Sequence, residues 1–122
     1  MDKIVVTSQG KSLDDQVDPR FGRAAYFLVV DPETMDIDVL DNSVSRSMGG
    51  GAGIQAAESV ANSGAKVVLS GFIGPKAFQA LNAARIKIGQ GVDGMTGREA
   101  VERFKAGQVE IAAGPSKQGH WA

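Results

Sequence analysis

From residue 50 onward the sequence alternates amphipathic helical segments with short apolar segments, and this alternation constrains the fold more than any other feature. Apolar residues at helical spacing predict helices, and β-branched runs too short for a helix predict strands. Such alternation is typical of crossover units around a parallel sheet. The predicted elements are helices over residues 52–63, from Pro75 and after Thr96, separated by strands over residues 66–70 and 86–88.

The ends of these helices carry their own signals. Pro75 suits the first position of a helix, and Thr96 with Glu99 forms a capping box at the start of the third helix. Gly64 and Gly107 follow the first and third helices, at the position where a left-handed residue commonly ends a helix. We expect the first helix to bury the face that carries Ile54, Ala57, Val60 and Ala61.

Three strands precede this part of the chain. Residues 3–8 form a β-branched run typical of a strand buried on both faces, and residues 25–30 and 37–41 are predicted to form an antiparallel hairpin. The first strand and the two later strands are expected to form the parallel centre, with the hairpin at the margin. The order β-β-β-α-β-α-β-α predicts one α/β domain over residues 1–113, with helices packed on a mixed five-stranded sheet. Residues 114–122 are predicted to be a flexible tail.

The composition excludes several classes of site and partner. The chain has no cysteine, which excludes disulfides, thiolate metal sites and cysteine nucleophiles. Residues 1–42 carry four basic and nine acidic residues, whereas residues 43–122 carry nine basic and five acidic ones. This balance argues against bulk nucleic-acid binding but allows a local basic pocket for a small anion. No apolar run approaches the roughly 20 residues of a membrane helix, so a cytoplasmic protein is expected.

Glycine accounts for 16 of the 122 residues, about twice the usual share of roughly 7%. The glycines cluster where the chain leaves a strand or enters a helix, and in an open α/β sheet these turns meet at the carboxyl edge of the strands. Glycine lets a ligand approach the backbone, and the helix N-termini behind it favour an anion. The alternative is that individual glycines only form tight turns. The three clusters are residues 49–53, 71–74 and 89–97.

Several nucleotide and catalytic motifs are incomplete in this sequence. Residues 10–12 read Gly-Lys-Ser like the end of a P-loop, but the first glycine of that motif would fall on Val5. The first strand contains no Asp, so the metal-binding residue that polynucleotide cleavage would need there is missing. His120 lies near the chain end with no orienting partner nearby in sequence. The acids of residues 14–18 could hold Mg²⁺, although such a run is more often a solvated loop.

The most specific segment is Asp18-Pro19-Arg20-Phe21-Gly22-Arg23, in which two arginines bracket an aromatic residue and a glycine. Arginine recognises anions through its charge and its fork of N–H donors, so both arginines are candidate anion ligands. Phe21 suits either a lid over a ligand or a core position. The alternative is a loop that Phe21 anchors while the arginines stay solvated.

This hexapeptide resembles the dinitrogenase iron-molybdenum cofactor-binding family, and residues 51–58, 70–78 and 91–99 resemble it at the same order and spacing. The resemblance covers nearly the whole chain. It implies a ribonuclease-H-like α/β fold without nuclease activity, in a protein that carries or helps to assemble molybdenum-iron-sulfur cofactors. For small members without cysteine, the resemblance implies a mixed molybdenum-copper sulfide cluster, with an iron-molybdenum-sulfur cofactor as the alternative.

The resemblance and the glycine pattern together imply a non-catalytic site that binds and delivers an anionic cluster. Many family members have a His before the Gly-Ala-Gly, where this chain has Gly50, so we predict no direct metal ligation, with Met48 as the one soft donor nearby. A cluster whose metals already carry sulfide needs N–H donors and cations instead. The predicted binding residues are Arg20, Phe21, Gly22, Arg23, Met48, Gly49, Gly50, Gly51, Gly53, Gly71, Phe72, Ile73, Gly74, Lys76 and Arg98.

Two other functions remain open at this point. A small enzyme acting on a phosphate or carboxylate substrate would need a titratable pair in the same cleft, and the sequence supplies only loop acids such as Asp14, Asp18 and Asp93. A regulatory interaction module would use the tail and the acidic hairpin as contact surfaces. A carrier would in addition require a protein acceptor or assembly partner.

Overall fold

A computed structural model describes residues 2–43 and 51–113, so the predictions for the tail and for Met48, Gly49 and Gly50 lie outside the described residues. The described elements follow the predicted order β-β-β-α-β-α-β-α. No helix among them is long and apolar enough to cross a membrane. The strands are β1 (Ile4–Ser8), β2 (Tyr26–Val30), β3 (Ile37–Asp41), β4 (Val67–Leu69) and β5 (Lys87–Gly89), and the helices are α1 (Ala52–Asn62), α2 (Pro75–Ala83) and α3 (Gly97–Lys105).

The strands form one mixed five-stranded sheet in the order β3-β2-β1-β4-β5. β1 pairs with β4 and β4 with β5 in parallel, whereas β1 with β2 and β2 with β3 are antiparallel. The predicted parallel centre and the predicted hairpin at the margin are therefore confirmed. The outer strand β3 carries Asp38 and Asp41 on an exposed edge, where charge discourages the addition of a further strand.

The sheet is covered on both faces, which explains why every residue of β1 is buried. Val5 points to the face on which α1 and α2 lie, and its neighbours Ile4 and Val6 point to the face on which α3 lies. Successive side chains of a strand alternate between the two faces, so a strand between two helical layers must be apolar throughout. The molecule thus has three layers, two helices, sheet and one helix.

The helix boundaries follow the predicted signals. Pro75 occupies the first turn of α2, and the Thr96 hydroxyl oxygen accepts a hydrogen bond from the Glu99 backbone N–H at 3.2 Å. Gly64 and Gly107 follow α1 and α3 with φ of 83° and 74°, in the left-handed region that a helix end requires.

One predicted helix face is only half right. Ala57 and Val60 are buried as predicted, but Ile54 is 40% exposed and Ala61 is exposed, and Ala52 and Ala56 complete the buried face of α1. Successive helical residues are separated by about 100°, so Ile54 lies nearly opposite Ala52 and Ala56. The helices α1 and α2 pack closely together: a Cβ added to Gly53 of α1 would lie 3.1 Å from the Ala77 Cβ of α2. Because the helices are this close, small side chains occupy the buried face of α1.

Candidate functional site

The arginine-containing loop of residues 18–23 is fixed to the end of β1 by a buried carboxylate. Asp18 accepts hydrogen bonds from the backbone N–H groups of Arg20, at 3.1 Å, and Ala25, at 3.3 Å. The Asp18 N–H donates to the Thr7 carbonyl at 3.0 Å, and the Thr7 hydroxyl donates to the Asp18 carbonyl at 2.8 Å. Because both ends of the loop are tied to one side chain, the arginines project from a fixed backbone.

The same loop is joined to the turn that follows β4. The Phe72 N–H donates to the Pro19 carbonyl at 2.9 Å, and Arg20 pairs with Phe72 in a short parallel bridge. Gly71 permits this approach, since an added Cβ would lie 2.5 Å from the Pro19 carbonyl oxygen. The loops after β1 and β4 therefore meet at the carboxyl edge of these parallel strands, as predicted for the ligand edge of an α/β sheet.

Glycines also bring the first turns of α1 and α2 against this loop. A Cβ added to Gly22 would lie 2.9 Å from the Gly53 backbone nitrogen, and Gly53 in turn contacts Ala77. The glycine pattern of the sequence predicts that such glycines admit a ligand to the backbone. At Gly22, Gly53 and Gly71 they instead admit another segment of the chain, and the cavity forms where these segments meet.

At the meeting point lies a solvent-open cavity of about 480 Å³. It brings together many of the residues that the sequence predicted, from two loops and two helix starts. Three further lining residues were not predicted, although each belongs to the first turn of a helix whose start the sequence did indicate. The predicted residues that line the cavity are Arg20, Phe21, Gly22, Arg23, Gly53, Phe72, Gly74 and Lys76, and the others are Ala52, Pro75 and Ala77.

The cavity is positively charged. Arg20, Arg23 and Lys76 contribute three cations, and no carboxylate belongs to its lining as far as the chain is described. The side chains of Arg20 and Lys76 are exposed, so these two cations can contact a bound molecule while remaining hydrated without it, and Arg23 is half-buried. This arrangement favours an anionic guest.

Two helix N-termini add to this positive potential. α1 begins at Gly51, with φ of 76°, and α2 begins at Gly74; neither cap residue provides a side-chain hydrogen bond, and neither first turn contains an acid. α3, which opens away from the cavity, has both the Thr96 cap and the acidic Glu99. Uncapped N–H groups and the positive ends of the helix dipoles are an anion-binding arrangement, and here two of them open on one cavity.

The apolar walls come from two phenylalanines with different degrees of burial. Phe21 is only 2% exposed and its ring stacks on Phe27, with 5.5 Å between centroids, so it is a core residue rather than a lid. Phe72 is half-buried and offers its side chain to the cavity. A guest would therefore meet cations at the rim and aromatic carbon at the wall.

The remaining predicted residues lie elsewhere. Ile73 is fully buried in the core, and Gly71 is enclosed between Pro19 and Asp93. Gly51 is the cap of α1, beside the lining residue Ala52. These three residues are not among the lining residues of the cavity.

Arg98 is not at this cavity. Its Nε lies 3.2 Å from an oxygen of Asp14, with both side chains exposed, and it belongs to α3 on the other face of the sheet. The prediction that placed Arg98 in the site is corrected on this point. The cause is that α3 packs against the opposite face from α1 and α2, so its first turn does not reach the cavity.

The fold and the cavity together define a small α/β protein with a positively charged cavity at one sheet edge. Residues 2–107 match the family described as dinitrogenase iron-molybdenum cofactor, and the chain belongs to this family. The solved structures that it resembles include the apo form of the orange protein from Desulfovibrio gigas, with a TM-score of 0.93 and 57% sequence identity over 96% of this chain and 98% of that one.

A second solved structure is that of a putative NifB protein from Thermotoga. It has a TM-score of 0.82 and 29% identity, covering 98% of this chain and all of that one. No curated protein matches the chain. The family assignment thus rests on the family match and on these structural relatives.

Proposed function

We propose that this protein binds and delivers an anionic molybdenum-containing metal-sulfide cluster, without catalysing a reaction on it. The cluster is of the molybdenum-copper sulfide type, with an iron-molybdenum-sulfur cofactor as the alternative. The observation that carries the proposal is the convergence of Arg20, Arg23 and Lys76 with two uncapped helix N-termini on one cavity. Membership of the dinitrogenase iron-molybdenum cofactor family supports molybdenum as the metal.

A metal-sulfide cluster suits a site that offers charge and N–H groups. Its metals are already bound by inorganic sulfide, so the protein can hold the cluster without providing coordinating side chains. The chain has no cysteine, and within residues 2–43 and 51–113 no group of three His, Asp or Glu side chains is placed to hold a metal ion. The polarisable sulfides would also contact the apolar walls formed by Phe21 and Phe72.

The energetics of such a site suit a reversible carrier. A hydrogen bond to a charged group contributes about 1.5–3 kcal/mol, so three cations contribute roughly 4.5–9 kcal/mol, and about 8 kcal/mol corresponds to micromolar affinity. Apolar contact with Phe72 and Pro75 would add to this. Because no bond from a side chain to the metal has to break, release to an acceptor protein would be rapid.

The other predictions complete this proposal. The described lining of the cavity has neither a carboxylate nor an imidazole, the groups that general acid-base chemistry commonly uses, which supports a carrier over an enzyme. A cytoplasmic location, a protein acceptor and the absence of nucleic-acid binding stay predictions. The ribonuclease-H-like class also stays a prediction; the sheet order β3-β2-β1-β4-β5 with β2 antiparallel supports it.

Reconstitution tests the proposal. Adding tetrathiomolybdate and copper to the purified protein should produce intense visible charge-transfer bands from the bound cluster. The double variant Arg20→Ala, Arg23→Ala should reduce uptake at least tenfold, because it removes two of the three cations of the cavity. The matched control Arg98→Ala, Arg103→Ala removes the same charge from exposed positions on α3 and should bind as the unchanged protein does.

The readouts separate folding from binding. Circular dichroism and a thermal melt should show that both double variants retain the native secondary structure. Uptake that is equal in the two double variants would contradict the proposal, since it would mean that only the overall charge matters. Visible bands that form with iron, molybdenum and sulfide but not with copper would favour the alternative cofactor.

A further inference from the structure

A second cavity lies at the opposite edge of the sheet. It has a volume of about 430 Å³ and includes Val67 and Lys87, the first residues of β4 and β5, so it opens at the amino ends of the strands. The 480 Å³ cavity lies at their carboxyl ends, and the two share no lining residue. We call the second cavity the amino-edge recess; it is lined by Asp2, Lys66, Val67, Arg85, Lys87 and Phe104.

The amino-edge recess has an excess of positive charge. Its lining contains three cations, Lys66, Arg85 and Lys87, and one carboxylate, that of Asp2. None of the three cations makes a salt bridge with a carboxylate of the described chain. The three are also exposed. Like charges grouped around one recess repel each other, and an anion bound among them would remove that repulsion.

The backbone at Arg85 gives an independent indication of function. Arg85 directly follows the cap residue at the end of α2 and has a φ of 61°. Two backbone hydrogen bonds close this helix end, each at 3.0 Å. The Arg85 N–H donates to the Asn82 carbonyl, and the Ile86 N–H donates to the Leu81 carbonyl. This pair of hydrogen bonds is the Schellman ending of a helix, whose left-handed residue is usually glycine. α1 and α3 have glycine at this position, Gly64 and Gly107.

An arginine at this position is unfavourable for the fold. A left-handed backbone brings the Cβ of any L-residue close to the following carbonyl oxygen, a cost that glycine avoids. Met35, the other described non-glycine residue with positive φ, packs its side chain against an apolar cluster. Arg85 is exposed and has no such burial to offset the cost, so apolar packing does not account for an arginine at this position.

We propose that the amino-edge recess binds a small polyvalent oxyanion of the phosphate class, with Arg85 as its principal ligand. The guanidinium group provides a planar fork of N–H donors that matches two oxygens of such an anion, while Lys66 and Lys87 supply point charges on either side. A concave volume of this size fits a small molecule better than the surface of an acidic protein. Phe104 forms an apolar wall that an organic group attached to the phosphate would contact.

The variant Arg85→Gly tests this proposal on the full-length protein through two opposite effects. Isothermal titration with pyrophosphate should show at least a tenfold loss of affinity, while the melting temperature without ligand should rise, because glycine relieves the left-handed backbone. Arg85→Asn should give the same loss of affinity. Arg98→Ala is the matched control, since it removes one exposed positive charge outside the recess and should leave pyrophosphate binding unchanged.

The arms of the titration distinguish the sources of the oxyanion. Inorganic phosphate and pyrophosphate probe the free anion, and adenosine monophosphate probes a phosphate carried by an organic group. Tighter binding of adenosine monophosphate would show that Phe104 contributes.

Three results would overturn the proposal: no binding of any of these anions, an equal loss of affinity in Arg98→Ala, or binding of an acidic peptide alone. Arg85→Gly should also leave cluster uptake unchanged, which separates this proposal from the function proposed for the other cavity.

Discussion

Two glycines at the same cavity are there for different physical reasons. A Cβ on Gly22 would meet the backbone of Gly53 at 2.9 Å, whereas a Cβ on Gly74 would meet nothing within 4 Å. Gly74 also has an ordinary φ of −74°, so neither space nor backbone conformation requires glycine there. The sequence predicted both positions as part of the site but could not distinguish them, because close packing between distant segments leaves no local pattern.

Replacement of each glycine by alanine therefore gives different outcomes. Gly22→Ala should lower the free energy of unfolding by about 1–3 kcal/mol, because the loop must move away from the start of α1. Gly74→Ala is the control and should cost only about 0.5 kcal/mol, the preference for glycine over alanine at a helix N-cap. Denaturation with guanidinium chloride measures both. A Gly22→Ala protein as stable as the unchanged one would contradict the close contact.

At the scale of elements, the three described helices begin in two different ways. α3 begins with a capping threonine and an acid in its first turn, which stabilise it without a ligand. α1 and α2 begin at glycine, with no side-chain cap and no acid, and both open on the 480 Å³ cavity. The sequence showed the capping box directly. The convergence of the other two N-termini depends on the sheet order, which only the structure provides.

A capping acid introduced at α2 should separate stability from cluster binding. Gly74→Asp should stabilise the fold by about 0.5 kcal/mol, because an Asp cap accepts from the first N–H groups and complements the helix dipole. The same carboxylate should lower cluster uptake at least tenfold by repelling an anionic guest. Thermal melts and reconstitution with tetrathiomolybdate and copper measure the two effects.

Gly74→Asn is the matched control for this pair of effects. Its side chain has nearly the same size and caps the helix comparably, but it carries no charge. It should retain most of the uptake that Gly74→Asp loses. Equal uptake by the two variants would show that the charge at this helix N-terminus does not matter for binding.

At the scale of the whole molecule, the sequence predicted the elements and the parallel centre because turn, cap and periodicity signals are local. The sequence-based prediction assigned Arg98 to the wrong face of the sheet, for a physical reason. α1 connects β3 to the parallel strand β4, and α2 connects β4 to the parallel strand β5, so the right-handed crossover rule puts both helices on one face, where they are found. No described strand follows α3, so the handedness rule does not fix its face, and it packs on the other side.

The whole molecule also separates two positively charged regions by the length of the sheet. One is the cavity of Arg20, Arg23 and Lys76 at the carboxyl edge, and the other is the amino-edge recess around Arg85. The sequence showed only that the later part of the chain has an excess of basic residues. Of the nine basic residues in that part, one lines the carboxyl-edge cavity and three line the amino-edge recess, whereas Arg20 and Arg23 come from the acidic first part of the chain. Overall charge alone therefore does not identify either site.

The most direct test of the central claim is an anomalous diffraction measurement at the molybdenum edge, on crystals of the protein loaded with tetrathiomolybdate and copper. The account predicts a molybdenum peak inside the 480 Å³ cavity, beside the Arg20 side chain and facing the first turns of α1 and α2. A peak located only at the amino-edge recess, or only on the outer surface, would contradict it.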